Sequence, residues 1–377
     1  MKKFLSFLCT SSLLLALAAC GQAPKTNEPI KIGFLGPLTG GAASYGNDTS
    51  NAAKMKVAEV NAAGGIDGRM VELIVEDSRC NSADAAAAMQ KLVNVDGVVA
   101  IVGGQCSGET LGAAPVAEVA HVVLVSPVSS SPDVTTAGDF IFRVYPSDAL
   151  KGVDMAAYME KESYKKIAII SENTDYAIGI RNSLQAALPE GYAIVFDEVV
   201  DPDTKDFRSL ITRLKKVKHD VFVSNPQSDS VLAPMIQQYR EAGFTQPIVS
   251  QDIADSMNLL SLAPEAVEGM HMFNPSNMLG ATAKAGERSF SEKYREQFGE
   301  AQSNMSFATL SYDAAGVILE AISTVGTDGD AIRDYLYGLT NYDGAAGGFH
   351  FDENGDVIGI SNVLKMFKDG QIVEVTE

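Results

Sequence analysis

The chain has 377 residues, 46% hydrophobic and 20% charged, which is enough for about two domains with a sizeable core and unlike a disordered chain. Its formal net charge is −19, or −21 without the first nineteen residues, which carry Lys2 and Lys3 and no acid. Such an excess of acid repels nucleic acid and anionic lipid surfaces. Nucleic acid is therefore excluded as a partner, and membrane attachment needs something other than a basic patch.

The N-terminus offers that attachment. Lys2 and Lys3 precede an apolar run from Phe4 to Leu17, shorter than the ~20 residues that span a bilayer. Residues 1–19 read as a signal peptide. Leu17-Ala18-Ala19-Cys20 looks like a bacterial lipobox. Small residues admit a peptidase, and Cys20 is expected to carry a diacylglycerol, each buried methylene contributing about 0.8 kcal/mol. The plainer reading is a cleaved signal beside an incidental cysteine. Residues 20–29 (through Gly21 to Pro29) are polar and lack an apolar period, as a tether does. Cys9 leaves with the signal and Cys20 takes lipid, so Cys80 and Cys106 remain, in a compartment that permits disulfides. Pairing them closes a loop of about 26 residues, worth roughly 3 kcal/mol. Two free thiols or half of a metal site are the rival readings.

From Ile30 onward short β-rich runs alternate with helical stretches. Ile30 to Leu35 is a strand. Tyr45 to Ala63 is a helix stopped by Gly64-Gly65. Val71 to Glu76 alternates as a strand does, and Asp84 to Val95 is an alanine-rich helix. Val98 to Val102 and Val122 to Val125 are unbroken apolar runs of the kind buried on both faces of a parallel sheet. The alternation restarts with strands at Ile167 to Ile170, Ala193 to Val200, Val221 to Val223 and Ile248 to Val249. Between them lie helices at Ile178 to Leu188, Phe207 to Val217 and Ser230 to Ala242. Two such series predict an α/β protein with two doubly wound parallel-sheet lobes.

Enzyme signatures are absent: no GxSxG, no HExxH, no GxxxxGK[ST]. Gly41 to Gly46 has phosphate-loop spacing, but Asn47-Asp48 follows where a lysine is required. The four histidines, at 121, 219, 271 and 350, are scattered. No enzyme activity, cofactor or metal is expected. Small polar residues instead gather just after strand ends, where open α/β sheets bind ligands. They are the loop to Tyr45, the run Gly103 to Gly108 with Ser107, the run Ser126 to Pro132 with Ser129 and Ser130, and Ser250-Gln251-Asp252. Each has a plain alternative. Ser107 fits a helix N-cap, Ser129 to Ser131 a turn, Asp252 a solvated loop acid, and Tyr176 and Phe307 core positions.

The segment Ile32-Gly33-Phe34-Leu35-Gly36-Pro37-Leu38-Thr39-Gly40, Tyr45-Gly46, Asn61 to Gly68 and Glu76 to Cys80 resembles the opening of the leucine/isoleucine/valine-binding protein family, the substrate-binding components of branched-chain amino acid ABC transporters. The likeness continues through Gly103 to Ser107, Ser126-Pro127, Asp175-Tyr176 and Lys205-Asp206-Phe207, nearly the whole mature chain. It implies the type 1 periplasmic binding protein fold, with three hinge crossovers near Ser147, Asn274 and Val357. Lobe one would take residues 30–147 with 275–357, and lobe two 148–274 with 358–377. It also implies the Cys80–Cys106 disulfide. Carried over position by position, Tyr45, Ser107, the Val128 carbonyl, Ser129, Ser130 and Phe307 would line lobe one, and Tyr176 and Asp252 would close from lobe two. Ser107 and nearby N–H groups would hold an amino acid carboxylate. The Val128 carbonyl, Ser130 and Asp252 would accept from its ammonium, and the three rings would flank its side chain.

Two departures stand out. Asn225-Pro226-Gln227-Ser228 carries no aromatic where the family places one, and Asp252 stands where glutamate is typical. The side-chain pocket is therefore expected to be wider or more polar. The resemblance implies a monomeric receptor on the periplasmic side of a bacterial membrane, held by lipid, that delivers leucine, isoleucine or valine to a permease. Another small amino acid, an amide, a γ-amino acid or a sensory role are the alternatives, with an exported hydrolase behind them.

Overall fold

The computed structural model describes residues 28–202, 204–275 and 285–375. The expected signal peptide and lipid-bearing Cys20 lie outside the described residues. Strands β1 (Ile30–Gly36), β2 (Val71–Asp77), β3 (Ala100–Gly103), β4 (Val123–Ser126) and β5 (Ile141–Arg143) form a parallel sheet in the order β2-β1-β3-β4-β5. β3 and β4 are buried along their whole length, as unbroken apolar sequences require. Helices α1 (Ala43–Ala62), α2 (Ser82–Lys91) and α3 (Ser107–Ala120) connect them.

Two of these helices differ from expectation. α2 stops at Lys91, and Leu92–Asp96 widens into one π turn, closed where Gly97 adopts φ 71°. α3 begins at Ser107 itself, which is therefore inside the helix and not its cap. The Glu109 carboxylate reaches back instead, accepting the N–H groups of Gln105 (2.7 Å) and Cys106 (2.8 Å). A carboxylate satisfies orphan N–H groups better than a hydroxyl and leaves the Ser107 hydroxyl for another use.

After β5 the chain passes through 144–147 into α4 (Asp148–Lys161) and a second sheet. This is built from β6 (Lys166–Glu172), β7 (Ala193–Val200), β8 (Val221–Asn225), β9 (Ile248–Ser250) and β10 (His271–Pro275), with helices α5 (Asp175–Ala187), α6 (Arg208–Leu214), α7 (Asp229–Glu241) and α8 (Met257–Leu262). Beyond β10 come α9 (Ala285–Phe298), α10 (Met305–Val325) and α11 (Gly329–Tyr337). A small sheet of β11 (Tyr342–Gly344), β12 (Gly347–Phe351) and β13 (Val357–Ile358) follows. The chain then returns to the second sheet as β14 (Asn362–Lys368) and β15 (Gln371–Glu374), giving the order β15-β14-β10-β9-β8-β6-β7. The five strands from β6 to β10 run parallel, β14 pairs antiparallel with β10, and β15 antiparallel with β14.

One continuous buried apolar cluster runs through both sheets, and a second covers the other face of the first sheet. Phe34, Val102 and Phe142 are fully buried in the first sheet, Phe222, Val223 and Ile248 in the second; each such side chain contributes ~1.5–3 kcal/mol. α10 is 21 residues long and apolar enough to cross a membrane, but 89% of its apolar window is buried, where it packs along α1. A disulfide joins Cys80, after β2, to Cys106, before α3, with Cα atoms 5.5 Å apart. Strand order reverses between β1 and β3 in the first sheet and between β6 and β8 in the second. The loops after those four strands are where such sheets bind ligands.

Candidate functional site

Tyr45, Ser107 and Tyr176 follow β1, β3 and β6 at these switch points, whereas Val128 to Ser130 follow β4, Asp252 follows β9 and Phe307 lies in α10; all but Val128 are buried. Tyr45, in the first turn of α1, is 4% exposed. Its hydroxyl accepts the N–H of Asp229, at the start of α7 in the other half of the molecule (3.1 Å). Its ring meets Phe307 of α10 edge-on at 5.7 Å. Burial, with the Asp229 charge adding to it, pushes its hydroxyl well above the ordinary tyrosine pKa, so it stays protonated and can donate.

Ser107 opens α3, with its hydroxyl accepting the Ser131 N–H at 3.1 Å. The hydroxyl's own hydrogen and the free N–H groups of the first helical turn make this end of the helix a place for an anion. Beside it, Val128 is half-buried. Ser129 turns inward: its hydroxyl donates to the Gly104 carbonyl (3.0 Å) and pairs with Thr110 (2.7 Å). That side chain builds the turn rather than facing the other candidates. Ser130 faces the second half. Its hydroxyl donates to Asp148 Oδ2 (2.8 Å), and its carbonyl accepts the Asp148 N–H (2.8 Å).

The residues of the second half converge on one acid. Asp252, in a single helical turn after β9, is 1% exposed. Its Oδ1 accepts from the Tyr176 hydroxyl. Its Oδ2 accepts from the Tyr145 hydroxyl (2.5 Å) and from Lys151 Nζ (2.6 Å). Lys151 also reaches Asp148 Oδ1 at 2.8 Å and lies 5.5 and 5.8 Å from the ring centres of Tyr145 and Tyr176. Burial alone would strip this lysine of its proton, but the two acids outweigh it and hold its pKa above the ordinary value. Burial pushes the Asp148 carboxyl up, against the pull of Lys151. Tyr176 and Tyr145 are likewise pushed well up by burial, with the Asp252 charge adding to it.

Tyr145, Asp148, Lys151 and Asp229 were not anticipated from the sequence. A signal for two of them exists. Asp148, Lys151, Met155, Tyr158 and Met159 follow helical spacing along the buried face of α4, so an acid and a base sit within an apolar stripe. The expected departure after β8 has a definite role. Asn225 Nδ2 ties β8 to Ser171 (2.9 Å) and to the Ala177 carbonyl (2.7 Å). Gln227 accounts for a second cross-cleft contact: its Nε2 lies 3.4 Å from Cys80 Sγ.

Two α/β halves thus meet along the carboxyl ends of their strands, with buried polar groups facing across the seam. The family model described as periplasmic binding protein matches residues 29–371. The Leu/Ile/Val-binding protein of Escherichia coli (strain K12) is 30% identical over 253 residues, covering 66% of this chain and 68% of that protein. The chain belongs to the periplasmic binding proteins, in the leucine/isoleucine/valine-binding family. The leucine-, isoleucine-, valine-, threonine- and alanine-binding protein of Pseudomonas aeruginosa is 28% identical and matches it over 100% of both chains. A branched-chain amino acid transporter substrate-binding protein from Streptococcus pneumoniae, solved in complex with isoleucine, superposes with a TM-score of 0.83. It is 28% identical and covers 92% of this binding protein and 100% of its own chain. The two-lobed type 1 fold expected from the sequence is thereby established.

Proposed function

We propose that this binding protein is the receptor of an ABC importer and captures a free aliphatic α-amino acid between its lobes, with leucine, isoleucine and valine as the first candidates. The observation that supports the reading is that the start of α3, at Ser107 and Gly108, meets the start of α5 across the seam, where Tyr176 donates to Asp252, while Tyr45 packs on Phe307. A zwitterion matches that arrangement: the carboxylate toward Ser107, the ammonium toward the Val128 carbonyl, Ser130 and Asp252, the side chain toward the rings. Residues 30–147 with 275–357 would move as one lobe and 148–274 with 358–377 as the other, closing on the ligand before docking on the permease. The receptor catalyses no reaction. It is exported, cleaved before Cys20, held at the periplasmic side of the membrane by lipid on that cysteine, and works as a monomer.

A thermal-shift screen of the twenty amino acids tests this. A ligand at a hundredfold excess over Kd adds about 2.7 kcal/mol of stability. Stabilisation by leucine, isoleucine or valine is expected. The absence of any shift with an aliphatic amino acid would overturn the reading. Mass spectrometry of membrane-extracted protein is expected to find a diacylated Cys20.

A further inference from the structure

The acid expected to receive the ligand's ammonium already holds a cation. Asp252 offers about four lone-pair sites, and Tyr176, Tyr145 and Lys151 occupy three of them. Lys151 is a fully buried ammonium, 2.6 Å from Asp252 and 2.8 Å from Asp148, and all three groups are buried. The second acid accepts the Ser130 hydroxyl on Oδ2, while its Oδ1 lies in ion-pair contact with Lys151 but makes no hydrogen bond. Burial pushes the Asp148 carboxyl up while Lys151 pulls it down.

The consequence concerns what the cleft discriminates. A site rejects an analogue lacking one polar group strongly, by about 10⁴–10⁵, when that group's absence leaves a buried protein partner unpaired. Here a ligand without an ammonium leaves no bare carboxylate, because the chain's own lysine stays on Asp252. We propose that Lys151 is a specificity-determining residue acting as the resident counter-ion of Asp252, so that the cleft accepts aliphatic carboxylates lacking an α-ammonium nearly as well as the amino acids themselves. The ligand class then extends to des-amino, 2-hydroxy and 2-oxo acids with branched side chains. This rests on the reading of the cleft as an amino acid site.

Calorimetry with leucine and with 4-methylpentanoate, its des-amino counterpart, tests the idea in the wild-type protein and in Lys151→Met. The wild type is expected to bind the two within about tenfold of each other, whereas Lys151→Met widens the gap to about a hundredfold or more in favour of leucine, whose ammonium takes the vacated place. Lys151→Gln, which keeps a donor without the charge, serves where the methionine variant fails to fold. A merely structural lysine would lower both affinities together. A wild-type preference for leucine above about a hundredfold, or a ratio unmoved by either variant, would overturn the proposal while leaving the amino acid reading intact. If no aliphatic amino acid binds while 4-methylpentanoate does, the amino acid reading fails and the proposal, which rests on it, falls with it. Both fail where neither ligand binds.

Discussion

Replacing Asp252 with alanine should destabilise the fold itself, beyond any effect on ligand. The carboxylate accepts from Tyr176, from Tyr145 at 2.5 Å and from Lys151 at 2.6 Å. After substitution Tyr145 keeps Asn274 at 3.1 Å and Lys151 keeps Asp148 at 2.8 Å, whereas Tyr176 loses its acceptor. A buried hydroxyl left unpaired costs ~1–3 kcal/mol, and a charge-assisted bond to the lysine is worth a further ~1.5–3. The sum, about 2.5–6 kcal/mol, brackets the ~3–5 kcal/mol typical of removing one partner of a buried ion pair. Equilibrium urea unfolding followed by circular dichroism would read it as a lower midpoint at unchanged slope. Removing the lysine too should recover part of the loss: Lys151→Met with Asp252→Ala is expected to cost at least about 1 kcal/mol less than the two single changes added. A loss below about 1 kcal/mol for Asp252→Ala, or strict additivity, would refute the reasoning.

Gly108 lies in the first turn of α3, and a Cβ there would sit 2.7 Å from Asp175 Oδ2 in the opposite half. Gly108→Val should therefore hinder closure, lowering ligand affinity at least about tenfold in calorimetry at unchanged urea stability; unchanged affinity would contradict it. Cys80→Ser with Cys106→Ser should cost roughly 3 kcal/mol, measured by urea unfolding against the oxidised wild type, and equal midpoints would count against the bond's role. Burial raises the Asp313 carboxyl to about 7, against the N–H groups of Ala346 and Ala345 that favour its charged form. An acid whose folded pKa exceeds its unfolded value of about 4 binds its proton more tightly when folded, so its stabilising contribution is complete below pH ~4 and is lost as pH rises to about 7. Asp313→Asn removes that slope. Wild-type stability relative to the variant should therefore fall between pH 4 and 8 by up to roughly 4 kcal/mol, and a pH-independent difference would refute the assignment.

The fold was legible where a strand announces itself locally, which β1 to β4 and β6 to β9 do and β5, β10 and β11 to β15 do not. Val221 to Val223 and Ile248 to Val249 are buried apolar runs in the sequence and buried strands in the structure. Helix ends were less so, since they depend on which group captures the orphan N–H groups. Glu109 reaches back over α3 from three residues inside the helix and displaces Ser107 as its cap. The candidate site was legible where residues follow strand ends. It was not where the partner arrives from far along the chain: Lys151 and Asp252 are 101 positions apart. A lysine in isolation reads as solvated, and only its place on the apolar stripe of α4 says otherwise.

The same acid that faces the seam also ties together the three passages between the sheets. Ser130, in the first half, bonds to Asp148 just beyond the first passage. Asp148 pairs with Lys151, and Lys151 with Asp252. Tyr145, within the first passage, bridges Asp252 to Asn274 (3.1 Å), the penultimate residue of β10 before the second. Asn274 Nδ2 donates to Asp255 (2.6 Å), which also receives Lys365 of β14 (2.5 Å), just past the third. A chain of buried charges and hydrogen bonds is costly to break at any link, because each break strands a desolvated group. Rotation of one half against the other must therefore either carry this network along intact or open it at Ser130–Asp148, the link that joins a first-sheet loop to a second-sheet helix. That link is a hydroxyl-to-carboxylate bond beside a backbone one, the Asp148 N–H to the Ser130 carbonyl, and neither is an ion pair like those behind it. The physical expectation is that the network from Asp148 to Lys365 moves as part of one rigid body, and that the two halves part at Ser130–Asp148 together with Tyr45–Asp229 and Gln227–Cys80.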